Sequence, residues 1–171
     1  SSPDKLIESL HHHHADIAIC TERLDEDDKL VLKTCYEWHH VAIVPKNHPL
    51  ALGEINLKRL AEYPILTYLP GFTGRSNIEK AFKTAGLTVN ISLAAADSDI
   101  IKTYVKLGLG VGIIASMAYD EVVDNDLVEI DLSQFIKRSV TKIAYLKQLY
   151  LPAYLQFFID ELIGQSAKLH R

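Results

Sequence analysis

Apolar residues follow two rhythms along this chain. Short unbroken runs such as Val41-Ala42-Ile43-Val44 and Ile113-Ile114-Ala115 read as strands covered on both faces. Elsewhere apolar positions recur every three or four residues, as at Ile78, Ala81 and Phe82, or at Ile101, Tyr104 and Val105. That is the period of a helix with one buried face. The pattern predicts strands over 15–20, 30–36, 40–45, 65–69, 89–95, 111–115, 127–132 and 140–146, with a polar loop over 21–29. Helices are predicted to end near Leu10, to cover 55–63, and to run from Ser76 to Gly86 and from Asp97 or Ser98 to Gly108. A last helix starts at Pro152 with Leu155, Phe158, Ile159 and Leu162 inward. Ser76 with Glu79 has the form of a capping box.

Strands alternating with helices imply an α/β fold with mainly parallel strands joined by right-handed crossovers. Ligands of such sheets bind beyond the carboxyl ends of the strands, where loops enter helix N-termini. Three loops qualify, after Cys20, after Leu69 and after Ala95.

Composition narrows the classes. Hydrophobic residues are 48% and charged residues 23% of the 171, an ordinary folded globule. Eighteen Lys and Arg against 22 Asp and Glu leave a net charge of −4. No basic surplus is available to neutralise phosphates, so direct nucleic-acid binding by these residues is disfavoured. Cys20 and Cys35 are too few for a disulfide scaffold and read as small buried hydrophobes in a reducing cytoplasm. Neither a membrane-length apolar run nor a signal peptide is evident. The chain opens at Ser1 without Met, which reads as part of a longer protein.

Chemistry concentrates in Pro70-Gly71-Phe72-Thr73-Gly74-Arg75-Ser76. Its glycines let backbone approach a ligand, Thr73 and Ser76 add hydroxyls, and the helix behind offers unpaired N–H groups and a positive dipole end. Two readings stay open: an oxyanion or carboxylate site, and an ordinary capped loop. A phosphate-cradling P-loop is excluded, since the Gly-Lys-Ser/Thr ending is missing. Gly108-Leu-Gly-Val-Gly112 follows a helix and enters a strand, so it reads as a tight turn rather than a dinucleotide fingerprint. His11 to His14 read as a solvated helix end, and no Cys/His spacing signals a structural metal. His39 and His40 beside Trp38 are ambiguous. The acidic run at 25–28 reads as a solvated loop, and Asp97 and Asp99 as helix caps. No nucleophile, base and orienting acid assemble, so an enzyme is disfavoured.

Several strings, taken together, resemble one family. They are Ala15-Asp-Ile-Ala-Ile-Cys-Thr-Glu22, Cys35-Tyr-Glu-Trp38, Tyr63-Pro-Ile-Leu-Thr-Tyr68 and Gly71-Phe-Thr-Gly-Arg-Ser76. Ala85-Gly-Leu87, Asp99-Ile-Ile-Lys-Thr-Tyr-Val105 and Leu107-Gly-Leu-Gly-Val-Gly-Ile-Ile-Ala-Ser-Met-Ala118 complete the set. They resemble the effector-binding domain of LysR-type transcriptional regulators, closest to the regulator of the cysteine regulon and its sulfur-starvation paralogue. The resemblance runs from about Asp4 to Ile163.

It implies two Rossmann-like subdomains with mixed, mainly parallel sheets, of the periplasmic-binding-protein type 2 class. Residues 1–37 with 131–171 would form the first and 38–130 the second, with crossovers near 36–39 and 129–132. It implies a small effector in the cleft: sulfate, thiosulfate, O-acetylserine or N-acetylserine. Thr21 and Thr73 would contact the anion, Trp38 would lie beside it, and Gly71, Phe72, Gly74 and Ser76 would complete the loop. No metal or organic cofactor is implied. Partners would be a second copy, as dimer or tetramer, and promoter DNA and RNA polymerase through the full-length protein alone. The family's winged helix-turn-helix and the first strand and helix of its effector domain have no counterpart here. The alternative is a stand-alone small-anion solute-binding protein of the same fold.

Overall fold

A computed structural model describes residues 3–21 and 27–169. Asp25 and Glu26 of the acidic run therefore lie outside the described residues. The elements are α1 (Pro3–His11), β1 (Ala18–Cys20), β2 (Leu30–Trp38), β3 (His40–Pro45), α2 (Leu57–Leu60), β4 (Ile65–Tyr68) and α3 (Arg75–Thr84). They continue as β5 (Ile91–Ala95), α4 (Ser98–Lys106), β6 (Val111–Ala115), β7 (Leu127–Asp131), β8 (Ser139–Leu146) and α5 (Ala153–Leu169).

The chain divides into two units, Ser1–Glu37 with Ser139–Arg171, and Trp38–Arg138. The expected second boundary, at residue 131, shifts: residues 131–138 belong to the second unit. The reason is packing. β7 pairs with β3 through Asp131, and Leu132 and Ile136 are fully buried in the second unit's core.

The second unit carries a five-stranded sheet in the order β5-β4-β6-β3-β7. β4 runs parallel to β5 and β6, whereas β3 is antiparallel to β6 and β7. The sheet is thus mixed, as expected, with parallel pairing confined to β4, β5 and β6. Each strand's side chains alternate between faces. Ala42 and Val44 pack with Ile78 and Phe82 of α3, while Val41 and Ile43 pack with Ile101 and Val105 of α4. Helices on both faces explain why β3 and β6 are apolar at nearly every position. The Gly-rich helix-to-strand turn has a steric reason as well. A Cβ on Gly110 would fall on the Pro64 carbonyl, where β6 enters beside β4.

The first unit has three strands in the order β1-β8-β2. On one face Leu10 of α1 packs with Ala18, Leu30 and Ala144. On the other, Ile159 of α5 packs with Ile143 and Tyr145.

Four local expectations change. The strand at 15–20 pairs only over Ala18–Cys20, with Ile19 exposed on the edge. The helix at 55–63 shrinks to the four residues of α2, capped by Asn56. Phe158 of α5 faces outward, leaving Leu155 and Ile159 as the buried positions. Ser76 does not cap α3: the helix begins at Arg75 behind a left-handed Gly74 and has no side-chain cap, and Ser76 is exposed within the first turn.

Candidate functional site

The carboxyl ends of β4, β5 and β6 share one edge of the second unit's sheet, since Tyr68 pairs with Ala95 and both strands run parallel to β4's other neighbour. Loops leaving this edge lead to α3 and α4. Both helices point a positive dipole end towards it, and their first turns are furnished differently. Asp97 caps α4 through its own carboxylate, accepting the Asp99 N–H at 2.6 Å, and Asp99 adds a second negative charge. α3 has no acidic residue in its first turn and no side-chain cap.

The loop before α3 holds an unusual backbone. Gly71 has φ +81°, Thr73 +42° and Gly74 +67°. For a β-branched residue a positive φ is strained, at a cost of order 1–3 kcal/mol. Phe72 and Arg75 N–H groups close the turn onto Leu69 and Phe72. Among the described residues, the Thr73 hydroxyl and the Thr73 and Gly74 N–H groups meet no protein acceptor.

Three side chains tie down the loop and the strand end before it. Arg75 is buried and turned back, donating to the Tyr68 carbonyl and pairing with Glu79 at 2.9–3.0 Å. Its charge is therefore spent on its own helix and strand end. The Tyr68 hydroxyl accepts the Ala115 N–H at 3.0 Å and shares a 2.8 Å hydrogen bond with the Ser98 hydroxyl, tying β4 to β6 and α4. Burial raises its phenol above the usual range. His40 on β3 donates from Nε2 to the Thr73 carbonyl at 3.2 Å. Burial pushes His40 down to about 4, against a smaller opposing effect of that hydrogen bond, so the ring is neutral near pH 7.

The predicted site residues fall into two groups. Gly71, Phe72, Thr73, Gly74 and Ser76 share the β4–α3 loop, and Trp38 joins them through His40, its ring edge-on to the imidazole at 4.9 Å. Trp38 is buried, at 3% exposure. Thr21 belongs to the first unit, one residue beyond β1. His40, Tyr68 and Ser98 were not singled out as site residues from the sequence. A histidine opening an otherwise apolar strand was the available signal for the first; nothing local marks the other two. A recess of about 730 Å³ lies at the opposite end of the sheet, where Pro45 meets Leu127. Glu121 and Glu129 against one Lys46 make it a poor anion site. Among the described residues no group of three or more His, Cys, Asp and Glu could hold a metal, and no helix is long and apolar enough to cross a membrane.

Parallel strands β4, β5 and β6 with helices on both faces define an α/β unit of the class in which ligands bind at the carboxyl ends of the strands. The chain belongs to the LysR substrate binding domain family, whose model matches residues 1–167. It is 43% identical over 160 residues to the HTH-type transcriptional regulator SsuR of Burkholderia cenocepacia, covering 93% of this chain and 52% of that protein. It is 44% identical over 160 residues to the HTH-type transcriptional regulator CysB of Haemophilus influenzae, covering 93% and 49%. The chain thus spans about half the length of these curated relatives, which are named as transcriptional regulators and not as enzymes. Among solved structures, the cofactor-binding domain of the Cbl transcriptional regulator is similar at a TM-score of 0.90 and 36% identity, covering 95% of this chain and 72% of that one. The effector-binding domain of QuiR in complex with shikimate shares the fold, with a TM-score of 0.84 at 19% identity, covering 98% and 79%.

Proposed function

We propose that this chain is the effector-sensing domain of a transcriptional regulator of sulfur assimilation and cysteine biosynthesis, and that its β4–α3 loop holds an oxyanion. Sulfate, thiosulfate and the carboxylate of O- or N-acetylserine share the chemistry such a loop recognises. Similarity to SsuR, CysB and Cbl regulators supports the regulatory role. The observation that carries the ligand assignment is Thr73. Among the described residues, its strained left-handed backbone keeps a hydroxyl and two successive N–H groups without protein acceptors, where a helix begins with no side-chain cap. Strain of this kind persists where the surroundings over-determine it, and marks functional positions. Promoter DNA, RNA polymerase and self-association belong to the full-length protein in this reading, and so does a cytoplasmic location. Effector binding shifts the regulator's states only by its differential affinity for them.

A thermal-shift screen against the four effectors tests the assignment. At least one is expected to raise Tm increasingly as free ligand exceeds Kd. Thr73→Gly is expected to raise the ligand-free stability by about 1 kcal/mol, because glycine adopts this φ without strain, and to shrink the ligand-induced shift. An unchanged ligand response in Thr73→Gly would remove Thr73 from the site.

A further inference from the structure

A buried histidine that uses one nitrogen and leaves the other unpaired calls for an explanation. His40 is completely buried, yet its Nδ1 has no hydrogen-bond partner. An unsatisfied buried polar atom costs roughly 1–3 kcal/mol, so a phenylalanine of similar volume would be the cheaper occupant of this core position. What the imidazole adds over a phenyl ring is the Nε2–H, and that proton goes to the carbonyl of Thr73, 33 residues away and in the strained loop. The same ring meets the indole of Trp38 edge-on at 4.9 Å.

We infer that His40 is the positioning residue of the β4–α3 loop: its Nε2–H holds the Thr73 carbonyl and thereby keeps Thr73 in the left-handed conformation, and its ring transmits the state of the loop to Trp38. The inference deepens the proposed function and rests on it only for the ligand. A peptide plane is rigid. Fixing the Thr73 carbonyl therefore also fixes the plane that carries the Gly74 N–H. No other side chain described contacts that carbonyl, since Arg75 is committed to Tyr68 and Glu79. The unpaired Nδ1 follows from the same arrangement. A neutral imidazole has one N–H, and the loop takes it. The low-pKa, neutral form of His40 is the one that leaves Nδ1 bare without a buried charge.

The test compares the 171-residue chain with His40→Phe, which keeps a planar aromatic ring but has no donor, and His40→Gln, whose amide can supply an N–H near the Nε2 position. Three readouts are taken: the amide shifts of Thr73 and Gly74 without ligand, Trp38 emission on titration, and calorimetric affinity for sulfate. His40→Phe is expected to move both amide resonances, to flatten the Trp38 response and to weaken sulfate binding roughly tenfold. His40→Gln is expected to restore the amide shifts and most of the affinity. If His40→Phe leaves loop shifts and affinity unchanged, or if Gln is as impaired as Phe, the inference is overturned. Long-range ¹⁵N spectra of the unmodified protein give a check that needs no variant: an Nδ1-protonated His40 also overturns it. Absence of sulfate or other effector binding by the unmodified chain, with loop shifts still following residue 40, would overturn the functional reading and leave the positioning role standing.

Discussion

Thr73 and His40 show how one residue can be costly for the fold and informative about the site. Thr73 occupies a backbone region that threonine avoids, and His40 buries a polar atom with nothing to bond. His40 also makes a prediction about acid stability. Its folded pKa is depressed to about 4 from 6.5 in the unfolded chain, with burial the dominant cause, opposed by the hydrogen bond to Thr73 and reinforced by the nearby His39. Between those values the unfolded state binds more protons, so stability falls as pH drops through this window. At pH 5 the loss attributable to His40 is about 2 kcal/mol relative to pH 7. Urea midpoints measured at both pH values should therefore show a smaller drop in His40→Gln than in the unmodified protein. Equal drops would mean that His40 does not titrate in this range. The sequence shows a histidine beside Trp38 but not its burial, because burial depends on α3 and β6 arriving from distant parts of the chain.

At the scale of elements, α3 and α4 differ in how their first turns are furnished. Asp97 at the start of α4 was legible as a cap because its side chain bonds within its own turn. Ser76 was misread because Gly74 starts α3 earlier, and the left-handed turn that does so is held by His40 on another strand. α4 is also bound to the segment before β7 by charge. Asp124 is buried, with Lys102 Nζ at 2.7 Å, Lys106 Nζ at 3.7 Å and the Asp120 N–H at 3.2 Å. Burial raises its carboxyl, but these partners outweigh that and hold it below the usual range. Removing Lys102 leaves a buried carboxylate with only its longer ion pair and one backbone donor. Lys102→Ala is expected to cost about 2–3 kcal/mol in urea unfolding. Lys106→Ala, at a more exposed position, should cost less than about 1 kcal/mol. Similar losses for both would show that Asp124 does not depend on its closer partner.

For the molecule as a whole, the second unit is continuous in sequence and encloses both faces of its own sheet, whereas the first needs the chain to leave and return. Residues 38–138 expressed alone are therefore expected to unfold cooperatively on heating, as a domain with its own core does. A broad, non-cooperative melt of that segment would contradict the division. Ending the segment at 130 should abolish cooperative melting, because Leu132 and Ile136 fill the core beside α3. The sequence by itself determined the order of strands and helices, the family, and the β4–α3 loop as the place to look. These are carried by local periodicity, by helix caps and by strings of adjacent residues. Tertiary structure alone decided that parallel pairing stops at β6, that the boundary lies past Arg138, and that Arg75 turns inward. It also decided that Thr73 is held in a strained turn by His40. Each of these depends on groups brought together across tens of residues, where packing and hydrogen bonding override what any local pattern can specify.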